Sequence, residues 1–245
     1  MNRLYFIIVA IILLLNSCTE DSALSDVEIS DPSIIAPYIL VSRNIDENNN
    51  FNSKIEVWLY DKNGNSIELK KGEVRLNHMR MSLNKLPLTN APYYSGENIL
   101  SKVELNTNYA FEIELSDSKI YSANVQTQAK DLNQMSLPSN YNKQNDMDIS
   151  WQEIYLHDKM DVQLNRFFMT NTSGGQSFIT LNIPSPNILN GSYTITKDNF
   201  NNLDGNCYKA IITVSGIKNG TIDNRFNSNR KIISGYSIAK EINVN

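Results

Sequence analysis

The feature that most constrains the fold of this chain is a period-two alternation of apolar and polar residues. In "KIEVWLY", Ile55, Val57 and Leu59 fall on one face, and Trp58 and Tyr60 fall on the other. Alternation of this kind is typical of a β-strand with one face buried. Turn signals separate such runs at intervals of about 8–12 residues, a spacing typical of all-β sandwiches. The sequence therefore predicts an all-β fold.

The turns between these runs have their own signals. Asn63-Gly64 follows "KIEVWLY", and both residues tolerate the positive φ that a tight hairpin turn needs. In "GEVRLNHMRMSL" the apolar phase breaks at Asn77-His78, which predicts two short strands with a tight turn or a bulge between them and an exposed His78. "NYAFEIEL" and "KIYSANVQT" then alternate again around Asp117-Ser118.

A second series of strand-like runs follows a polar stretch at 128–137, which we interpret as a linker. These runs are "MDISW", "DVQLNRFFMT", "SFITLNI", "SYTIT", "CYKAIITVSG" and "GYSIAKEINV". In each half a tyrosine, Tyr109 or Tyr208, opens a long strand directly after a polar corner. This pattern resembles the tyrosine corner of immunoglobulin-like and fibronectin type III-like domains. The resemblance implies two tandem immunoglobulin-like antiparallel β-sandwiches, at 33–127 and 138–245.

The N-terminus is typical of an exported protein. Arg3 precedes an apolar run from Leu4 to Leu15, which is too short to span a bilayer and has the size of a signal-peptide core. The run ends in Leu15-Asn16-Ser17-Cys18, which resembles the lipobox of bacterial lipoproteins. The resemblance implies a signal peptide at 1–17 and lipid attachment, with diacylglycerol and palmitate-type chains, on Cys18. An ordinary thiol, or half of a disulfide, at Cys18 is the alternative.

The segment at 18–32 is polar and acidic, and we predict a flexible tether because it has little apolar surface to bury. It resembles the acidic export signal of Bacteroidota-type surface lipoproteins. That resemblance implies a lipid-anchored protein of the outer membrane that faces the medium. Orientation toward the periplasm is the second choice.

The composition of the chain argues against nucleic acid as a partner. The formal net charge is −4 and no basic stripe occurs, so we expect no binding to nucleic acid.

Cys207 is the second of two cysteines, and a lipidated Cys18 could not pair with it. A small buried residue at the start of a strand is the simpler interpretation of Cys207.

Residues that could carry catalysis are sparse, and we predict no enzyme activity, no cofactor and no metal site. The two histidines, His78 and His157, lie in different predicted domains. Five acidic residues could be interpreted as the carboxylate pair of a glycosidase, but charges on the solvent face of edge strands explain them more simply. They are Asp146, Asp148, Glu153, Asp158 and Asp161.

Aromatic residues give the sharpest binding hypothesis. Tyr93 and Tyr94 lie in "NAPYYSGEN", which we expect to form an exposed loop, and Trp58 could join them. Tyrosine and tryptophan rings stack on sugars and pack in protein interfaces. The alternative is that Tyr93 or Tyr94 covers the end of the sandwich. The leading functional hypothesis is a non-catalytic, lipid-anchored binding, adhesion or scaffold module with a protein or glycan ligand. The alternative is a glycan-binding accessory lipoprotein of an outer-membrane nutrient uptake system.

Overall fold

The structure, a computed structural model, describes residues 28–128, 134–138, 140–151, 158–170, 176–183, 191–200 and 205–245. Cys18, the predicted signal peptide, most of the predicted tether, Glu153 and His157 lie outside these ranges. Lipid attachment and the predicted export signal therefore stay predictions.

The described chain is almost entirely β-structure, and the predicted all-β class is confirmed. The strands before residue 128 are β1 (Ala36–Ile45), β2 (Phe51–Tyr60), β3 (Glu73–Leu76), β4 (Met79–Arg80), β5 (Ser82–Lys85), β6 (Pro92–Ser95), β7 (Asn108–Glu114) and β8 (Ile120–Gln126). Those after it are β9 (Met135–Ser136), β10 (Asn140–Tyr141), β11 (Met147–Trp151), β12 (Lys159–Thr170), β13 (Gln176–Ile183), β14 (Ser192–Ile195), β15 (Gly205–Asn219), β16 (Thr221–Ile222) and β17 (Lys231–Val244). Two short 3-10 helices lie at Pro32–Ile34 and Lys197–Phe200.

Three sheets organise these strands. The large sheet has nine strands, in the order β13-β12-β15-β17-β1-β2-β6-β5, with β10 paired to the end of β17. A five-stranded sheet, β16-β8-β7-β3-β4, covers one part of it, and a three-stranded sheet, β14-β11-β9, covers another. We call these the first and second cover sheets. The result is a pair of β-sandwiches that share one continuous sheet.

The first core lies between the large sheet and the first cover sheet. The alternation in "KIEVWLY" points Ile55, Val57 and Leu59 inward, and each is at most 3% exposed. The alternation in "NYAFEIEL" points Phe111 and Ile113 toward them from β7. Period-two burial in both strands is what the sequence pattern predicted.

The second core lies between the large sheet and the second cover sheet. Trp151 at the end of β11 is 7% exposed and belongs to a cluster with Ile149, Val162, Ile212 and Ile238. The Trp in "MDISW" is therefore a core residue.

The last strand connects the two cores. β17 pairs with β1 in parallel from Tyr38–Lys231 to Ile45–Ile238, and on its other edge it pairs with β15 in the antiparallel sense from Ile233 to Asn243. Ile232 belongs to the first core, whereas Tyr236 and Ile238 belong to the second. The pattern "GYSIAKEINV" predicted a strand here, but alternation does not state which neighbours a strand takes. The predicted boundaries at 33–127, 128–137 and 138–245 stay predictions.

Two local features hold the first half in place. The Tyr109 hydroxyl accepts a hydrogen bond of 2.7 Å from the backbone N–H of Glu104, five residues upstream, which makes it a tyrosine corner. Gly220, between β15 and β16, lies so close to β8 that a Cβ there would be 2.1 Å from the Asn124 carbonyl oxygen. The chain passes here from the large sheet to the first cover sheet, and only a residue without a side chain fits at this point.

Candidate binding surface

One face of the large sheet packs against the two cores, and no other sheet of the described residues packs on its second face, which we call the open face. Since β1 and β2 are antiparallel, with Tyr38 opposite Trp58, the open face carries alternate residues of both strands. Tyr38, Glu56, Trp58 and Tyr60 are half-buried on this face, while their neighbours in sequence fill the first core. The period-two pattern of β2 thus places aromatic side chains on the open face and aliphatic side chains in the core.

Three of the rings on the open face form a stack, which we call the aromatic row: Tyr60, Trp58 and Tyr93. The centroids of Trp58 and Tyr93 are 4.8 Å apart with planes at 17°, and those of Trp58 and Tyr60 are 6.5 Å apart with planes at 5°. Offset stacking of this kind contributes about 0.5–1.5 kcal/mol beyond the area that it buries. The row is therefore ordered before any ligand arrives.

The tyrosines at 93 and 94 have different environments. The expected loop is wrong, because Pro92–Ser95 forms β6 between β2 and β5 and successive side chains of a strand point to opposite faces. Tyr93 joins the aromatic row, whereas Tyr94 is 5% exposed in the first core. The Tyr94 hydroxyl accepts a hydrogen bond of 2.9 Å from the N–H of Leu69, and burial raises its pKa to about 12.

Tyr60 and Tyr38 extend the surface beyond the residues that the sequence singled out. Burial and the nearby Tyr38 raise the pKa of Tyr60, and burial and the charge of Glu56 raise that of Tyr38. Both hydroxyls are therefore neutral hydrogen-bonding groups at physiological pH. Tyr60 could have been found from its spacing of two from Trp58. Tyr38 could not, because only the register of β1 against β2 brings it there.

The stack determines what the row offers to a ligand. The row presents aromatic ring surface together with the hydroxyl groups of Tyr60 and Tyr93. Such a surface suits a ligand that combines apolar groups with hydrogen-bonding groups. Glu56, beside Tyr38, adds one negative charge to the same face.

The other candidate residues lie apart from this surface. His78 occupies the predicted turn with φ of 66° and is exposed, with its Nδ1 2.8 Å from a Glu112 carboxylate oxygen. Cys207 is buried in the second core, and burial raises its pKa. A thiol in that state is a weak nucleophile.

The acidic residues of the second half make local bonds. Asp146 accepts the N–H of Lys197 at 2.9 Å, and Asp148 accepts the Thr194 hydroxyl at 2.6 Å. Asp158 accepts the backbone N–H of Asn219 at 2.6 Å, and Asp161 pairs with Lys159 at 2.8 Å. These contacts are spread over different strand pairs and turns. Among the described residues, no group of three or more His, Cys, Asp and Glu side chains is placed to hold a metal ion.

Comparisons with known proteins gave no family. No protein-family model matches the chain, and no curated protein matches it. Solved structures with some similarity include a chain from a cytokine receptor complex, which is 7% identical, with 84% of this chain and 94% of that chain covered and a TM-score of 0.29.

Two bacterial proteins also match weakly. They are the BSP domain of a biofilm associated protein (11% identical, 84% and 29% covered, TM-score 0.23) and the Yersinia pseudotuberculosis adhesin InvE (12% identical, 82% and 58% covered, TM-score 0.20). The chain spans less than two thirds of either. Similarity at this level indicates nothing about function, and the β-sandwich description rests on the sheets and cores themselves. Within the described ranges, no helix has the length and apolar character needed to cross a bilayer.

Proposed function

We propose that this protein is a non-catalytic, lipid-anchored binding module of the bacterial outer membrane, and that it holds a macromolecular ligand against its open face. The aromatic row carries this proposal, because it orders three large amphipathic rings on an otherwise open sheet face. Aromatic residues of this type dominate the binding energy of protein interfaces when they are packed beforehand. The shared sheet supplies a rigid scaffold beneath them.

The location at the outer membrane is proposed on the N-terminal sequence. Leu15-Asn16-Ser17-Cys18 resembles a lipobox, and two or three acyl chains on one cysteine give a stable anchor where one chain would not. Mass spectrometry of the N-terminal peptide from wild type and from Cys18→Ala tests the anchor. Proteinase treatment of intact cells tests whether the protein faces the medium. An unmodified Cys18 would rule out the lipid anchor.

Binding through the row is tested with two variants and one matched control. Trp58→Ala and Tyr93→Ala remove rings from the row, while Ile211→Ala truncates a half-buried side chain on the open face of β15, within the second half. Hot-spot aromatics lose about 2 kcal/mol or more on truncation, which is roughly a 30-fold loss of affinity. We expect this loss in the row variants and near-native affinity in the control. Equal affinity in all three would contradict the proposal.

A glycan ligand is the second candidate, and the tyrosine hydroxyl groups beside the aromatic rings favour it. A sugar packs its apolar face on an aromatic ring while its hydroxyl groups bond with neighbouring polar groups. The hydroxyls of Tyr60 and Tyr38 lie close enough to influence each other and could supply those bonds. A glycan array with wild type and Tyr60→Ala distinguishes the two candidates, since a glycan signal that Tyr60→Ala removes would favour the sugar.

A further inference from the structure

The first half has one end at which the predicted tether enters, and we call it the tether pole. The described chain begins at Glu28, and the Ile29 carbonyl accepts the N–H of Ser116 at 2.9 Å, in the turn after β7. The turn before β17 reaches the same end, because the N–H of Asn227 bonds to the Ile35 carbonyl at 2.9 Å. The tether pole therefore includes the start of β1 and the turns at 115–119 and 223–230.

The β5–β6 hairpin ends at the same pole. β6 is antiparallel to β2, with Ser95 opposite Glu56 and Tyr94 opposite Val57, so the start of β6 points toward Tyr60. Tyr60 lies opposite Ala36, at the start of β1. The connection at 86–91, which we call the hairpin tip, therefore projects beside the point where the chain enters.

The hairpin tip is apolar, exposed and held in shape. Leu88 is 98% exposed and Leu86 is 37% exposed, and "LPLTNAP" carries no charge. Backbone hydrogen bonds of 2.9 and 3.0 Å tie Asn90 and Ala91 to Leu86, and Asn90 takes a φ of 53°. A lone exposed leucine is ordinary on a protein surface. A rigid turn that presents two of them beside the predicted anchor is a different arrangement.

Three basic side chains around the pole form local ion pairs. Lys85 lies 2.8 Å from Glu68, and Lys119 lies 2.7 Å from Asp117. Arg225 lies 2.6 Å from Asp223. Contact with a lipid surface at this pole would then depend on apolar burial more than on attraction to charged headgroups.

We propose that the hairpin tip docks into the interface of the bilayer that holds the lipid anchor. This inference rests on the proposed anchor at Cys18, from which the chain to Glu28 can span at most about 35 Å. A pole held within that distance contacts the membrane repeatedly, and burial of an apolar turn at the headgroup boundary lowers the free energy of the system. Docking orients the strands away from the membrane and leaves the aromatic row accessible from the side, just above the headgroups.

The test places an environment-sensitive dye at the tip. Thr89→Cys carries the dye in the lipidated full chain, reconstituted into phosphatidylcholine vesicles with and without brominated acyl chains. Cys207 is buried and Cys18 is acylated in this preparation, so the new thiol is the reactive one. We expect emission at shorter wavelength and quenching by the brominated lipid. Asn243→Cys, at the opposite end of β17 and exposed, is the matched control and is expected to give neither.

A second variant tests the role of the leucine itself. Leu88→Asp in the Thr89→Cys background changes a side chain with almost no contacts, so the fold is unaffected and loss of the dye response is expected. An unchanged response in Leu88→Asp, or equal emission from the dyes at 89 and 243, would overturn docking. A response that depends on protein concentration without vesicles would assign the tip to a second copy of this chain and overturn it as well.

Vesicle flotation separates this inference from the proposed anchor. If the chain does not float with the vesicles, the proposed lipid anchor is wrong. Docking is then tested with a hexahistidine-tagged chain that starts at residue 19 and is held by nickel-chelating lipids. If the chain floats and the dye at 89 does not respond, docking alone is overturned.

Discussion

The Ser237 hydroxyl donates a hydrogen bond of 2.8 Å to Oδ1 of Asn44, and the two residues are register partners 193 positions apart in the sequence. Asn44 belongs to the first strand of the large sheet and Ser237 to the last. The bond lies near the middle of the large sheet, where β17 passes from the first core to the second. The two cores are therefore parts of one hydrogen-bonded framework.

A first prediction concerns cooperativity. Trp58 reports on the first half and Trp151 on the second core, and the chain has two tryptophans. We compare two probes in each of the single-tryptophan variants Trp58→Phe and Trp151→Phe. The urea midpoint measured by fluorescence of the remaining tryptophan should equal the midpoint measured by circular dichroism, because β17 belongs to both cores.

Ile232→Ala sharpens this test. Ile232 is 3% exposed in the first core, and truncation of a buried isoleucine costs about 2–5 kcal/mol. The midpoint reported by Trp151 should fall together with that reported by Trp58. If Ile232→Ala shifts the Trp58 signal alone, the two cores unfold independently and the prediction is wrong.

A second prediction concerns the tyrosine corner. Tyr109→Phe keeps the buried ring but leaves the N–H of Glu104 without its 2.7 Å partner. We expect a loss of about 0.5–1.5 kcal/mol in the free energy of unfolding. Tyr208→Phe, at a half-buried tyrosine within β15, should change it by less than about 0.5 kcal/mol. An equal loss in both variants would contradict the role given to the corner.

A third prediction concerns alkaline pH. Burial raises the pKa of Tyr94 to about 12 from a usual value near 10.0, so the folded protein keeps a proton that the unfolded chain releases. The stabilisation is fully present below about pH 10 and is lost as the pH rises toward about 12, by an amount of order 2–3 kcal/mol. Urea titrations of wild type and Tyr94→Phe should show a shallower alkaline decline in the variant. Equal alkaline declines in stability in the two proteins would contradict the raised pKa of Tyr94.

A fourth prediction concerns two glycines. Gly220→Ala would place a Cβ 2.1 Å from the Asn124 carbonyl oxygen, which is backbone and cannot move away cheaply. We expect a cost of about 1–3 kcal/mol or more. Gly235→Ala is the matched control, since its Cβ would meet Leu40 at an ordinary 3.7 Å. Thermal denaturation of both variants measures the difference, and tolerance of Gly220→Ala would mean that β16 can shift.

The sequence was most informative where structure is local. Alternation located β2, β7 and β8 and the buried side of each, because a residue's face in a strand depends only on its position in the period. The Asn77-His78 turn was predictable for the same reason, and both residues take positive φ. These features need no knowledge of any distant part of the chain.

The sequence was least informative where a strand chooses its neighbours. The Pro-flanked Tyr93-Tyr94 pair suggested a loop, but pairing with β2 and β5 makes it a strand and sends the two rings to opposite faces. Tyr38 reaches the open face beside Trp58 through register alone. The aromatic row was thus predictable in its Trp58 and Tyr60 members but not in its extent.

The parallel pairing of the first strand with the last also has a kinetic consequence. The first core stays incomplete until Ile232 takes its place in it. The chain between β1 and β17 must therefore close a long loop before the contacts that stabilise the loop exist, and this slows folding. A chain with this topology completes its first core only after β17 has been synthesised. Under the proposed export, that delay would keep the chain unfolded while it is threaded through a membrane.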